Sequence, residues 1–191
     1  LSEASATNWP VRVETARLVV RPLADHDIDD LVDVIGDDEV TAYLPYVTWR
    51  TREDGDAWLA RIRALEADDR ARQYVFVDRE SQRAIGVLVL FQHDPVSRRA
   101  EIGYAIGRAH WRRGLMREAL PVFIERAFAD LELMRIQAFA DARNEASHRL
   151  LLGLGFSHEG TLRRNVFFKG EWADSRVYGL LRDEGRTTGV G

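Results

Sequence analysis

Glu101–Asp130 reads EIGYAIGRAHWRRGLMREALPVFIERAFAD, and the fold turns on this stretch. Glu101–Ile106 has the character of a strand, and Trp111-Arg112-Arg113-Gly114 follows as a basic turn. From Gly114 to about Asp130, the apolar residues Met116, Ala119, Leu120, Phe123, Ile124 and Ala127 recur at helical spacing. Pro121 removes one hydrogen bond from that helix and is expected to kink it. A strand that stops at a basic, glycine-containing turn and feeds a helix is suited to hold an anion. The first helical N–H groups have no partner, and the helix dipole places partial positive charge there. Arg112 and Arg113 add fixed charge, and Gly114 admits close approach of the main chain. The guest this fits is a diphosphate. An ordinary strand–helix connection with solvated arginines is the alternative, and this stretch alone leaves both open.

Upstream, Gln73–Val77 and Ala84–Phe91 read as strands joined by the polar hairpin Asp78–Arg83, and with Glu101–Ile106 they make an antiparallel meander. Ile85–Phe91 is almost continuously apolar, as a strand covered on both faces would be. Arg17–Leu23 is an earlier strand. Asp25 can cap a helix whose Ile28, Leu31, Val32 and Ile35 share one face. Thr51-Arg52-Glu53-Asp54 resembles a capping box and opens a helix expected to bury Trp58, Ile62 and Leu65. Downstream, Arg135–Ala140 is a strand, and Asn144 caps a short helix with Ser147 on its first turn. Gly155 ends that helix, and Phe156 begins another strand. Val166–Phe168 and Arg176–Leu181 close a last hairpin. The fold class is α/β, a mixed sheet with helices on its faces. Residues 14–182 are expected to form one domain, with 1–13 and 183–191 as loose ends.

The 27 lysines and arginines against 31 acids give a net charge of −4, so nothing global argues for a nucleic-acid or membrane partner. Charge is uneven locally. Ala24–Val40 holds eight acids and no Lys or Arg, whereas Arg98–Arg117 holds six arginines. The acids read as a solvated face or as attraction for a cationic substrate. With no cysteine, disulfides and thiolate chemistry are absent, which fits a reducing compartment. No apolar run reaches about 18–20 residues, and the first residues lack a basic-then-hydrophobic signal. The expected address is cytoplasmic. P-loop, dinucleotide, nucleophile-elbow and zinc spacings are all missing, so no metal is expected. Thr41–Arg50, with Tyr43, Tyr46 and Trp49, is aromatic enough to line a ligand cleft or to plug the end of a sheet.

Trp111-Arg112-Arg113-Gly114-Leu115-Met116 resembles the acyl-CoA pyrophosphate loop of the GNAT N-acetyltransferase superfamily, Gln/Arg-x-x-Gly-x-Gly/Ala, and stands where that loop does. Asn144-x-x-Ser147 leading to Gly155-Phe156 resembles its second motif. EIGYAIG, GLMREAL and the closing KGEWADSRVYGLL are similar to the ribosomal-protein-alanine N-acetyltransferase (Rim-type) branch. The resemblance covers about Ala16–Arg182. It implies a mostly antiparallel central sheet splayed at the cofactor site, with acetyl-CoA as co-substrate. The acceptor it implies is the α-amine of a protein N-terminus, attacked in a ternary complex. A polyamine, an aminoglycoside or another small amine is the alternative acceptor. A homodimer is left open.

Acetyl transfer to an amine requires a neutral amine, a polarised carbonyl and a proton for the departing thiolate. Under this resemblance Glu101 is the candidate base, working through water and kept ionised by nearby arginines. Its alternative is an exposed carboxylate paired with Arg98 or Arg99. Ser147 would protonate or hydrogen-bond the thiolate. Main-chain groups of Ile102, Tyr104 and Ile106 would hold the pantetheine arm, with Asn144 touching its amide. Trp111, Arg112, Arg113, Gly114, Leu115 and Met116 would hold the diphosphate. Tyr43, Tyr46 and Trp49, beside the acidic first helix, would flank the acceptor. Two residues depart from the loop pattern, Trp111 at its first position and Met116 at its last. The tyrosine that serves many relatives as general acid would fall at Leu151, which leaves the acid open. It also admits a rival reading, a non-catalytic acyl-CoA-binding module.

Overall fold

In the computed structural model, which describes residues 8–184, eight strands form one sheet. They are β1 (Val13–Glu14), β2 (Leu18–Pro22), β3 (Arg72–Asp78), β4 (Ala84–Asp94), β5 (Arg99–Ile106), β6 (Arg135–Asp141), β7 (Ser157–Phe168) and β8 (Glu171–Leu181). Their spatial order is β1-β2-β3-β4-β5-β6-β8-β7. Every neighbouring pair is antiparallel except β5–β6. Five α-helices accompany the sheet: α1 (Ile28–Ile35), α2 (Asp38–Thr41), α3 (Arg52–Ala67), α4 (Leu115–Asp130) and α5 (Glu145–Gly153).

Strand alternation sorts the core into two layers. Val19, Val75, Val77, Val87 and Ala105 pack with Ile28, Leu31 and Ile35 of α1 and Trp58 of α3. Leu18, Val20, Tyr74, Phe76, Leu88, Leu90 and Ile102 pack on the opposite face with Leu120, Phe123 and Ala127 of α4 and Leu151 of α5. The helices therefore cover both faces, as expected. The N-terminus of α3 is held by the expected capping box, with Asp54 Oδ2 accepting from the Thr51 N–H at 3.1 Å. α4 continues as one helix through Pro121, whose exposed position leaves the buried stripe intact.

Two expectations need correction. Residues 8–13 of the supposed loose arm lie on the body. Trp9 is buried, its indole meets His93 edge-on at 5.3 Å and donates to Asp69 Oδ1 at 2.6 Å, and Val13 pairs with Val20. Residues 1–7, and 185–191 of the expected tail, lie outside the described residues. Leu65 is 57% exposed, because the last turns of α3 overhang a cavity rather than the core.

The sheet is interrupted at one seam. β5 and β6 are joined through the crossover helix α4, as a parallel pair requires. They pair only at Arg99–Arg135, Ala100–Ile136 and Glu101–Gln137. Past Glu101 the strands part. β5 keeps β4 on its far side through Ile106, and β6 keeps β8 through Asp141.

Candidate active site

The seam exposes one edge of β5 in a specific phase. The Gly107 N–H donates to the Ile85 carbonyl at 2.9 Å, so the bonded pairs with β4 fall at Ala105, Gly103 and Glu101. The main-chain groups of Ile102, Tyr104 and Ile106 therefore lie on the β6 side, where the Ile102 N–H completes the last rung with Gln137 and the Ile102 carbonyl, both Tyr104 groups and the Ile106 N–H face the gap. The side chains of Ile102 and Ile106 are buried, so these two residues offer their backbone alone.

At the open end of that edge lies the basic turn. Arg112 and Gly114 both adopt positive φ, 58° and 76°. Gly114 is the N-cap of α4 and supplies no side-chain cap. The N–H groups of Leu115, Met116 and Arg117 have no carbonyl one turn back within the helix. Arg112, Arg113 and Trp111 are exposed, while the Leu115 side chain is sunk into the core. Trp111 works differently from the polar residue usual in the resembling motif. Its indole Nε1 donates to the Ile106 carbonyl at 2.7 Å and ties the turn to the end of β5. Arg17, unnoticed in the sequence, braces the same turn. Its guanidinium donates to the Arg113 carbonyl at 2.9 Å and to Glu118 Oε2 at 2.6 Å, and Glu118 also takes the Arg17 N–H.

At the closed end, a cavity of about 720 Å³ passes through the seam. Glu101, Ile102, Tyr104, Asn144, Ser147 and Leu151 line it, and so do Tyr43 and Tyr46. Glu101 is only 8% exposed. Among the described residues, its carboxylate takes one hydrogen bond, from Gln137 Nε2 at 3.3 Å. The arginines expected to keep it ionised are engaged elsewhere, Arg98 on the Glu132 carbonyl and Arg99 beside Asp94. Burial accordingly pushes the Glu101 carboxyl above its ordinary 4.5, and the Gln137 bond only partly offsets this. A carboxylate raised in this way is better matched to accept a proton near neutral pH than an ion-paired one.

Asn144 caps α5, its Oδ1 accepting from the Ser147 N–H at 3.1 Å. Ser147 Oγ lies 3.1 Å from the Tyr104 hydroxyl, and burial raises that phenol to about 12. Behind Ser147, buried His148 spans the Ala142 carbonyl and the Tyr178 hydroxyl, at 3.2 and 3.0 Å. Burial lowers its pKa, so it is a neutral brace for α5.

Two acceptor-side expectations fail. Trp49 is 3% exposed and packs on Trp58 at 5.4 Å, inside the core between α1 and α3. The acids of Ala24–Val40 do not line the cavity. They are consumed by distant arginines: Asp25 by Arg63, Asp27 by Arg21, Asp29 by Arg52, Asp30 and Asp33 by Arg83, Asp37 and Glu39 by Arg108, and Asp38 by Arg50. Lys169 and Arg143 line the cavity beside Tyr43 instead. Lys169 Nζ donates to the Thr41 carbonyl at 3.0 Å. Arg143 bonds Asp141 and Glu171 and lies 5.9 Å from the Tyr43 ring.

Comparisons with known proteins agree with this geometry. Residues 17–157 match the family model described as an acetyltransferase (GNAT) domain. The uncharacterized N-acetyltransferase YoaA of Bacillus subtilis (strain 168) is 33% identical over 89% of this chain and 96% of its own. The [ribosomal protein uS5]-alanine N-acetyltransferase of Escherichia coli (strain K12) is 30% identical over 86% of this chain and 87% of its own. The solved structure of RimL, a ribosomal L7/L12 alpha-N-protein acetyltransferase in complex with coenzyme A, shares the fold. Its TM-score is 0.80 at 18% identity, over 91% of this chain and 99% of that one. With the family model spanning the seam, the basic turn and α5, this chain belongs to the GNAT acetyltransferase family.

Proposed function

We propose that the enzyme transfers the acetyl group of acetyl-CoA to the α-amine of a protein N-terminus, by direct attack in a ternary complex. Residues 8–182 would act as one catalytic domain, in the cytoplasm. The observation that carries this reading is the parting of β5 and β6 at Glu101–Gln137. It leaves one strand edge leading from an unpartnered helix N-terminus to a buried carboxylate. The diphosphate rests on the N–H groups that open α4, beside Arg112 and Arg113. The pantetheine arm, with its amides, pairs along Ile102, Tyr104 and Ile106 like a short strand, and Asn144 meets it from α5. This route delivers the thioester between Glu101 and Ser147. Glu101 takes the amine proton through water, and Ser147 meets the departing sulfur. Coenzyme A in the RimL structure supports the cofactor, and the uS5-alanine enzyme supports the acceptor class. Tyr43 and Tyr46 flank the acceptor side. No step in this scheme requires a metal.

A thiol-release assay checks the acceptor, with acetyl-CoA, a set of peptides with free N-termini, and a set of polyamines and aminoglycosides. We expect turnover with peptides, blocked when their α-amine is acetylated beforehand. Turnover confined to small amines would overturn the acceptor class and leave the cofactor site standing. Coenzyme A binding without turnover on either set would favour the non-catalytic module.

A further inference from the structure

Two hydroxyls meet across the seam. Tyr104 stands on β5, whose edge has lost its partner, and Ser147 stands on the first turn of α5, beyond β6. Their oxygens are 3.1 Å apart, and both residues line the cavity that holds Glu101. We propose that Tyr104 is a positioning residue for acetyl transfer. Its hydroxyl donates to Ser147 Oγ and so turns the serine's own proton into the cavity, toward the departing sulfur. This rests on Ser147 being the group that meets the thiolate.

The direction of that bond follows from the surroundings. A phenol is the more acidic of the two hydroxyls, and its burial keeps it protonated throughout the working pH range. It is therefore the better donor. A helical serine can spend its proton on the carbonyl four residues back. For Ser147 that residue is Arg143, which precedes the helix, and among the described residues Ser147 Oγ makes no bond to any carbonyl. The Ser147 N–H is already taken by Asn144, which fixes the turn and the base of the side chain. With Tyr104 donating, the serine proton has no acceptor among the described residues and faces the cavity.

The amine nitrogen forms the new C–N bond, and collapse of the tetrahedral intermediate breaks C–S. The sulfur takes the Ser147 proton as Oγ takes that of the more acidic Tyr104 O–H. The proton that the amine gave to Glu101 returns through water to restore the hydroxyl pair. The net products are the acetylated amine and free thiol. Leu151 of α5 lines the cavity without a hydroxyl, so in this chain the phenol reaches the site from the strand rather than from the helix.

Tyr104→Phe keeps the ring and removes the hydroxyl. With acetyl-CoA and a peptide acceptor from the assay above, we expect kcat to fall about tenfold, as for loss of one hydrogen bond to a developing charge. The KM for acetyl-CoA and the thermal stabilisation by coenzyme A should stay at wild-type values. In a double-mutant cycle with Ser147→Ala, the losses should fail to multiply, because one acts through the other. Multiplying losses, or a wild-type kcat for Tyr104→Phe, would overturn the proposal while the Ser147 reading stands. A slow Tyr104→Phe beside a normal Ser147→Ala would overturn both, since Tyr104 would then act without the serine.

Discussion

Glu101→Gln is expected to lower kcat by roughly 10²–10⁴, the range for loss of a positioned general base, with acetyl-CoA binding unchanged. The amide has the same shape and can still meet Gln137, so the substitution removes proton acceptance and little else. The pH profile should say more than the rate. Burial raises the Glu101 carboxyl above 4.5, so the base becomes available as pH climbs through that higher value. The wild-type rate should rise across this limb, then again as an acceptor α-amine deprotonates at about 7.7–8.0. The variant should keep only the second limb. Stability gives an independent sign. A carboxyl whose folded pKa is raised contributes stability below its unfolded pKa, and loses it as pH rises through the folded value. Near neutral pH its charge is therefore a cost, and Glu101→Gln should melt no lower than wild type. An unchanged kcat with both limbs intact would remove Glu101 from the mechanism.

Gly114→Glu is expected to weaken coenzyme A binding, followed by calorimetric titration, by about 100-fold or more. Charge-assisted hydrogen bonds are worth about 1.5–3 kcal/mol each, and an added carboxylate opposes the diphosphate where at least one forms. Conformational strain has to be separated from charge. Gly114 sits at φ 76°, where any residue with a Cβ is disfavoured by about 1–2 kcal/mol. A Cβ there would meet only an Arg17 guanidinium nitrogen, at an ordinary 3.7 Å. Gly114→Ala carries the same strain without the charge and should lose stability while retaining most affinity. If Gly114→Glu binds coenzyme A like wild type, the turn does not hold the diphosphate.

The sequence was most legible where one local pattern carries the information. Glu101–Asp130 reads as a strand, breaks at the basic turn ending in Gly114, and resumes at helical spacing, and the structure follows it to Asp130. The Asn144 cap was readable for the same reason. Contacts made across long separations were not. The acids of Ala24–Val40 look unpaired because their arginines, Arg52, Arg63, Arg83 and Arg108, arrive from other elements. Trp49 sits in an aromatic loop with Tyr43 and Tyr46, and nothing local shows that it turns inward onto Trp58. Glu101 is flanked in sequence by Arg98 and Arg99, yet their partners are the Glu132 carbonyl and Asp94. That error mattered most, because an ion-paired Glu101 would be a poor base and a buried one is a good candidate. The Tyr104–Ser147 bond joins residues 43 positions apart and had no signal in spacing at all.

The central claim is that the gap between β5 and β6 is an acetyl-CoA site, and the thermal stability of the wild-type protein tests it most directly. With acetyl-CoA at ~100 times its dissociation constant, linkage adds about 2.7 kcal/mol. For a chain of this size that is a rise in Tm of about 5–10 °C. A rise of that order, saturating with acetyl-CoA, is the result predicted. An unchanged Tm at saturating acetyl-CoA would contradict the account at its base, leaving the split sheet and the basic turn without the ligand assigned to them.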